Sequence, residues 1–143
     1  MDLSPREFTL RRLGLALAVL ACLVGCGESK TAPVNGRVKL KDGSDVSVLA
    51  GYSLTFEAEG SKSSAVGELD RDGTFKLSTF GANDGAMPGK YRVAINQPNN
   101  PDPDKPPTKS KLPAKYENLD SSGLTAEIKP GQNSLELELD KAP

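Results

Sequence analysis

Two kinds of side chain in this sequence are equipped for chemistry, thiols and carboxylates. The 143 residues include two cysteines, Cys22 and Cys26, and neither histidine nor tryptophan. Histidine is the usual general base near neutral pH and the commonest metal ligand. Its absence removes the Ser-His-Asp triad and the Cys-His pair. The carboxylates worth weighing fall into two groups. Asp70, Asp72 and Asp84 lie in loop-forming stretches, and hard oxygen ligands suit calcium. The Asp70-Arg71-Asp72-Gly73 piece lacks the later ligand positions of an EF-hand loop. Its simpler role is to cap a hairpin turn in which Gly73 takes positive φ. Glu127, Glu136 and Glu138 would matter to glycoside hydrolysis only as a pair roughly 5–9.5 Å apart across a cleft. Glu136 and Glu138 alternate with leucines, which assigns them to the solvated face of a strand. The sequence therefore predicts no catalytic residues and no cofactor, with Asp70, Asp72 and Asp84 as the calcium candidates.

Cys26 sits in the most informative context. Arg11 and Arg12 precede an apolar run from Leu13 to Val24, and Leu23-Val24-Gly25-Cys26 closes it. A basic start, a short apolar core and small residues at a cut form the three parts of an export signal. The run is too short to span a bilayer, which takes roughly 20 apolar residues. The last four residues resemble the lipobox of bacterial lipoproteins, in which the cysteine becomes the lipidated first residue of the mature protein. The flanks of Arg11-Arg12 fit a twin-arginine signal poorly, so the general secretory route is expected. Residues 1–25 are then a signal peptide, and 26–33 a lipidated polar tether. The resemblance implies a diacylglycerol on the Cys26 sulfur and an amide-linked chain such as palmitate, enough for stable membrane attachment. Gly27, rather than aspartate, follows the cysteine, which for such proteins points to the outer membrane or its periplasmic face. Cys22 is lost with the signal, so no intramolecular disulfide is available.

Beyond residue 25 the chain carries 15 basic and 17 acidic residues, interspersed. No basic stripe points to nucleic acid. Short alternating segments separated by Gly, Asp, Asn and Pro fill this part. Residues 34–40, 52–58, 65–69, 74–78, 90–96, 124–128 and 134–139 read as strands, and the Asp-Gly turns between them predict antiparallel hairpins. No helical period holds over a useful length. Seven short strands in roughly 110 residues predict one all-β sandwich over 34–140. Pro98 to Pro113 is rich in Pro, Asp and Lys, and is expected to protrude as a partly polyproline loop.

The stretch Val34-x-Gly36-x-Val38, the run Gly67-x-Leu69-Asp70-x-Asp72-Gly73-x-Phe75-x-Leu77, and Pro88-Gly89-x-Tyr91-x-Val93 resemble the carboxypeptidase regulatory-like, transthyretin-like β-sandwich family. With Leu112-Pro113-Ala114-Lys115-Tyr116, the string from Asp84 to Val93 is similar to small lipoproteins abundant in planctomycete bacteria. The resemblance implies a seven-stranded antiparallel sandwich and an accessory or cell-surface role. The chain departs from the pattern at Ser44 to Gly51, a longer, proline-free connection. A ureide hydrolase also belongs to the wider family. Its histidines and C-terminal Tyr-Arg-Gly-Ser have no counterpart here, so that activity does not carry over.

Taken together, the sequence predicts a non-catalytic, lipid-anchored envelope protein presenting a β-sandwich for structural or binding roles. The 98–113 loop is the segment expected to meet an envelope protein or polysaccharide. The alternative is a carbohydrate- or calcium-dependent ligand-binding domain at the cell surface.

Overall fold

Alternation of apolar and polar residues builds most of the described strands, those at Val34–Leu40 and Asn133–Leu139 most regularly. In a computed structural model, which describes residues 30–99, 104, 106 and 108–143, seven strands form: β1 (Val34–Leu40), β2 (Ser53–Ala58), β3 (Ser64–Glu68), β4 (Thr74–Lys76), β5 (Gly89–Asn96), β6 (Leu124–Ile128) and β7 (Asn133–Leu139). Short 3-10 turns occupy Val46–Leu49 and Ala114–Glu117, and no α-helix occurs among the described residues. One sheet has the order β4-β1-β7 and the other β3-β2-β5-β6. The all-β, two-sheet expectation holds. Residues 1–25 and Cys26 lie outside the described residues.

Strand direction departs from the expected pattern. β1 pairs with β7 in parallel along its whole length, from Val34 opposite Asn133 to Leu40 opposite Leu139; the other named pairs are antiparallel. The expected antiparallel sandwich is therefore mixed. Nor do β1 and β2 form a hairpin, because the Ser44–Gly51 connection carries the chain from one sheet to the other. The Asp70–Gly73 turn also changes sheets. An isolated bridge between Val66 and Ser78 then ties β3 to the chain just beyond β4.

The sheets meet over Phe56, Phe75 and Tyr91, each at most 1% exposed, with Val38, Leu54 and Val93 around them. The Phe56 ring centroid lies 6.0 Å from that of Phe75 and 6.3 Å from that of Tyr91, distances at which tilted aromatic pairs attract. Burial of such side chains stabilises by roughly 1.5–3 kcal/mol each. Gly36 is the reason Phe75 fits. The two are cross-strand partners, and a Cβ on Gly36 would lie 2.0 Å from the Phe75 ring. The ring occupies the space that a side chain would fill.

The strand directions give the sandwich two distinct ends. At one end Ala32 pairs with Ala86, its N–H donating to Ala86 O at 2.8 Å and its O accepting from Ala86 N–H at 3.1 Å. Asn133 N–H donates to Pro33 O, and Glu59 N–H to Lys90 O, each within 2.9 Å. Pro33, the 59–63 turn, the 79–88 loop and the 129–132 turn therefore share this end. Ala32 is 4% exposed and Thr31 is 8% exposed, so the fold begins before Val34 and the expected tether of 26–33 is shortened by these residues. At the other end lie the turns at 41–43 and 70–73, the exit from β5 and residues 140–143.

The substitution Gly36→Ala forces the Phe75 ring out of place, and overpacking of this kind costs about 1–3 kcal/mol. Denaturant unfolding should show that loss, and Gly36→Ala in a Phe75→Leu background should cost less than in the wild type. Equal costs in the two backgrounds would contradict the packing.

Candidate functional site

The residues at the end opposite Ala32 are organised by one carboxylate. Asp140, directly after β7, takes a hydrogen bond from Lys115 Nζ at 2.6 Å and one from Tyr116 Oη at 3.0 Å. Lys41 Nζ lies 2.9 Å from its other oxygen. The Asp140 N–H in turn donates to Tyr116 Oη at 2.9 Å. Hydrogen bonds from Lys115, then Lys41, then Tyr116 hold the Asp140 carboxyl well below the usual range. The pKa values of Lys41 and Lys115 rise, chiefly through their hydrogen bonds to Asp140.

This cluster fixes the return of the 98–113 segment. Lys111 N–H donates to Tyr52 Oη at 2.9 Å, and Ala142 N–H donates to Lys111 O at 3.0 Å. Leu112 and Tyr116 are buried, each 2% exposed. The segment's last three residues are thus part of the fold, which shortens the expected protruding loop at that side. Residues 114–120 continue over the outer face of the four-stranded sheet. There Arg92 on β5 pairs with Glu57 at 2.8 Å and with Asp120. A shallow depression of ≈ 430 Å³ lies between this segment and Thr55, Ala94 and Asn96.

The calcium candidates are not assembled into a site. Asp72 Oδ1 accepts from Thr74 Oγ1 at 2.6 Å and from Thr74 N–H at 3.0 Å, the capping role expected of it. Those bonds, the side-chain one foremost, lower its pKa. Asp70 closes the same turn through its backbone: Gly73 N–H donates to Asp70 O at 3.0 Å, and Gly73 has φ 76°. Asp84 stands beyond the opposite end of β4. Its carboxylate accepts from the N–H groups of Thr79 at 2.7 Å, Phe80 at 3.0 Å and Gly81 at 3.0 Å, which lower its pKa, Thr79 most. Among the described residues no three carboxylates are grouped to hold a metal ion.

The glutamates remain apart as well. Glu136 pairs with Lys39 at 2.7 Å, both side chains about half exposed, a surface ion pair of roughly 0–1 kcal/mol. Glu138 is exposed on the same strand, while Glu127 stands opposite Lys90 in the other sheet. No family model, no curated protein and no solved structure matches this chain.

The sequence marks Tyr116 only as part of the Leu112–Tyr116 string and does not reveal its hydroxyl partner Asp140. No local signal marks that contact, since it is made across the fold. Sequence reasoning also missed Asp42 and Asp45, which accept from Ser44 and Ser47 as Asp72 does from Thr74, with side-chain bonds of 2.6 Å. The Asp-x-Ser/Thr spacing is the signal that finds all three.

A carboxyl whose folded pKa lies below its unfolded value stabilises the fold above the unfolded pKa, about 3.9, and loses that contribution as pH falls below it. The stability gap between wild type and Asp140→Asn should therefore be widest above about pH 5 and narrow toward pH 2. A gap independent of pH would contradict the Lys115 and Lys41 contacts. For calcium, the expected outcome is the same melting temperature in millimolar calcium and in chelator; a rise with calcium would restore the aspartates as ligands.

Proposed function

We propose that this protein is a non-catalytic, lipid-anchored cell-envelope protein whose sandwich serves a structural or binding role. The observation that carries this reading is the placing of the two segments of interest at opposite ends of the fold. Ala32, six residues after Cys26, enters at one end. The segment after β5 leaves at the other, where Lys111, Leu112 and the Asp140 cluster receive it. A lipid on Cys26 would then direct the Pro-rich segment away from the membrane, which is what a presenting module requires.

The lipid itself is read from Arg11-Arg12, the Leu13 to Val24 run and Leu23-Val24-Gly25-Cys26. Two sheets of three and four strands support the proposed kinship with transthyretin-like lipoproteins. In the non-catalytic reading, Asp72, Asp84 and Asp140 serve the fold, since each accepts bonds from neighbouring backbone or side chains. Pro98 and Pro106 are exposed, and proline in a docking segment lowers the entropy lost on binding, compared with a glycine-rich loop. An envelope protein or polysaccharide is the partner class proposed for it.

Expression in a bacterial host tests the anchor. The wild-type chain should lose residues 1–25, gain the mass of a diacylglycerol plus an acyl chain, and sediment with membranes. Cys26→Ser should carry no lipid and appear in the soluble fraction. An unmodified wild-type Cys26, or a serine variant that still sediments, would overturn the reading.

A further inference from the structure

Three large apolar side chains are exposed among the described residues: Val48 at 47%, Val66 at 53% and Phe80 at 73%. Two of them stand near one another in the chain pairing, because Val66 is bridged to Ser78, two residues before Phe80. Phe80 belongs to the 79–88 loop at the Ala32 end. The loop is held firmly. Besides the three N–H groups on the Asp84 carboxylate, Thr79 Oγ1–H donates to Gly85 O at 2.8 Å, and Asn83 N–H donates to Ser78 Oγ at 2.8 Å. The loop is also fastened to the incoming chain. Gly85 has φ 90°, and a Cβ there would lie 1.9 Å from Ala32 O, so the close contact beside the Ala32–Ala86 bridge requires glycine. A phenylalanine displayed on a preorganised loop docks without the entropy cost of ordering it.

We propose that this end of the sandwich rests on a phospholipid surface, with Phe80 entering the headgroup region. The inference builds on the lipid-anchor reading of Cys26. Ala32 lies six residues after Cys26, and a fully extended chain of that length reaches only about 20 Å. A lipid on Cys26 thus keeps the Ala32–Ala86 bridge, and Phe80 with it, close to the bilayer. The lysines of this end fit the same surface. Lys30, Lys62, Lys90 and Lys129 are exposed in or beside the segments of this end. Glu59, Asp84 and Glu127 share this end; backbone N–H groups hold the Asp84 carboxylate, and Glu127 stands opposite Lys90. An exposed aromatic at an end that also carries lysines suits an anionic interface.

The chain has no tryptophan, so Phe80→Trp places a single indole probe at the loop. The lipidated full-length product would be incorporated into phosphatidylcholine–phosphatidylglycerol vesicles containing lipids brominated near the headgroup end of the chains. Val48→Trp, on the 3-10 turn at the other end, is the control. Indole emission from the Phe80→Trp protein should shift to the blue and be quenched roughly twofold or more, as for a side chain at the interface. Emission from the Val48→Trp protein should be unaffected. An unquenched indole in vesicle-bound Phe80→Trp protein overturns the orientation and leaves the anchor standing. Equal quenching in the two variants also overturns it. A wild-type product that carries no lipid on Cys26 and fails to bind vesicles overturns the anchor reading and this inference together.

Discussion

The pairing of β1 with both of its neighbours is the constraint on which the rest of the structure depends. β1 runs antiparallel to β4 and parallel to β7. Its direction alone decides which loops gather beside Ala32 and which gather beside Asp140. Gly36 allows this central strand to accept the Phe75 ring, and Phe75 reaches Phe56 in the facing sheet. One missing side chain therefore couples the two sheets. The parallel partner arrives by a long route, through the facing sheet and the 129–132 turn, where Asn133 accepts from Lys129 N–H at 2.9 Å and donates back to Lys129 O at 2.8 Å. That local clasp sets the register of β7 against Pro33 and Val34.

The polar residues serve this frame consistently. Asp42, Asp45, Asp72 and Asp84 each accept hydrogen bonds within their own loops, so the connections are held by aspartate instead of by disulfides. Asp140 acts over a longer range, joining the end of β7 to Lys41 after β1 and to Lys115 and Tyr116 after the Pro-rich segment. A small sandwich made rigid in its loops is suited to holding one segment away from its attachment point. This is the physical content of the proposed role.

Much of the frame was legible in the alternation of residues. Leu135, Leu137 and Leu139 against Glu136 and Glu138 mark one face of β7 whatever its partner. For that same reason alternation carries no information on direction, and the parallel pairing with β1 could not be read from it. The Thr31-Ala32 entry has no period of its own, and Ala32 is held by its pairing with Ala86 across from it. The Val46–Leu49 turn was hidden in a segment that departs from the resembled pattern, although its Asp-x-Ser cap was available. Of the candidate site residues, Asp72 and Gly73 behaved as their turn chemistry dictates. Asp84 did not join them, because β4 lies between.

The proposed account gives the molecule a membrane side and an outer side, and lysines stand on both. The most direct measurement is lysine labelling by a membrane-impermeant amine reagent, read by mass spectrometry. The lipidated protein on anionic vesicles is compared with the unlipidated Cys26→Ser protein in solution. Attachment should slow modification of Lys62, Lys90 and Lys129 and leave Lys109, Lys111 and Lys141 unchanged. Protection at Lys109, Lys111 and Lys141 instead, or no difference between the two sets, would contradict it.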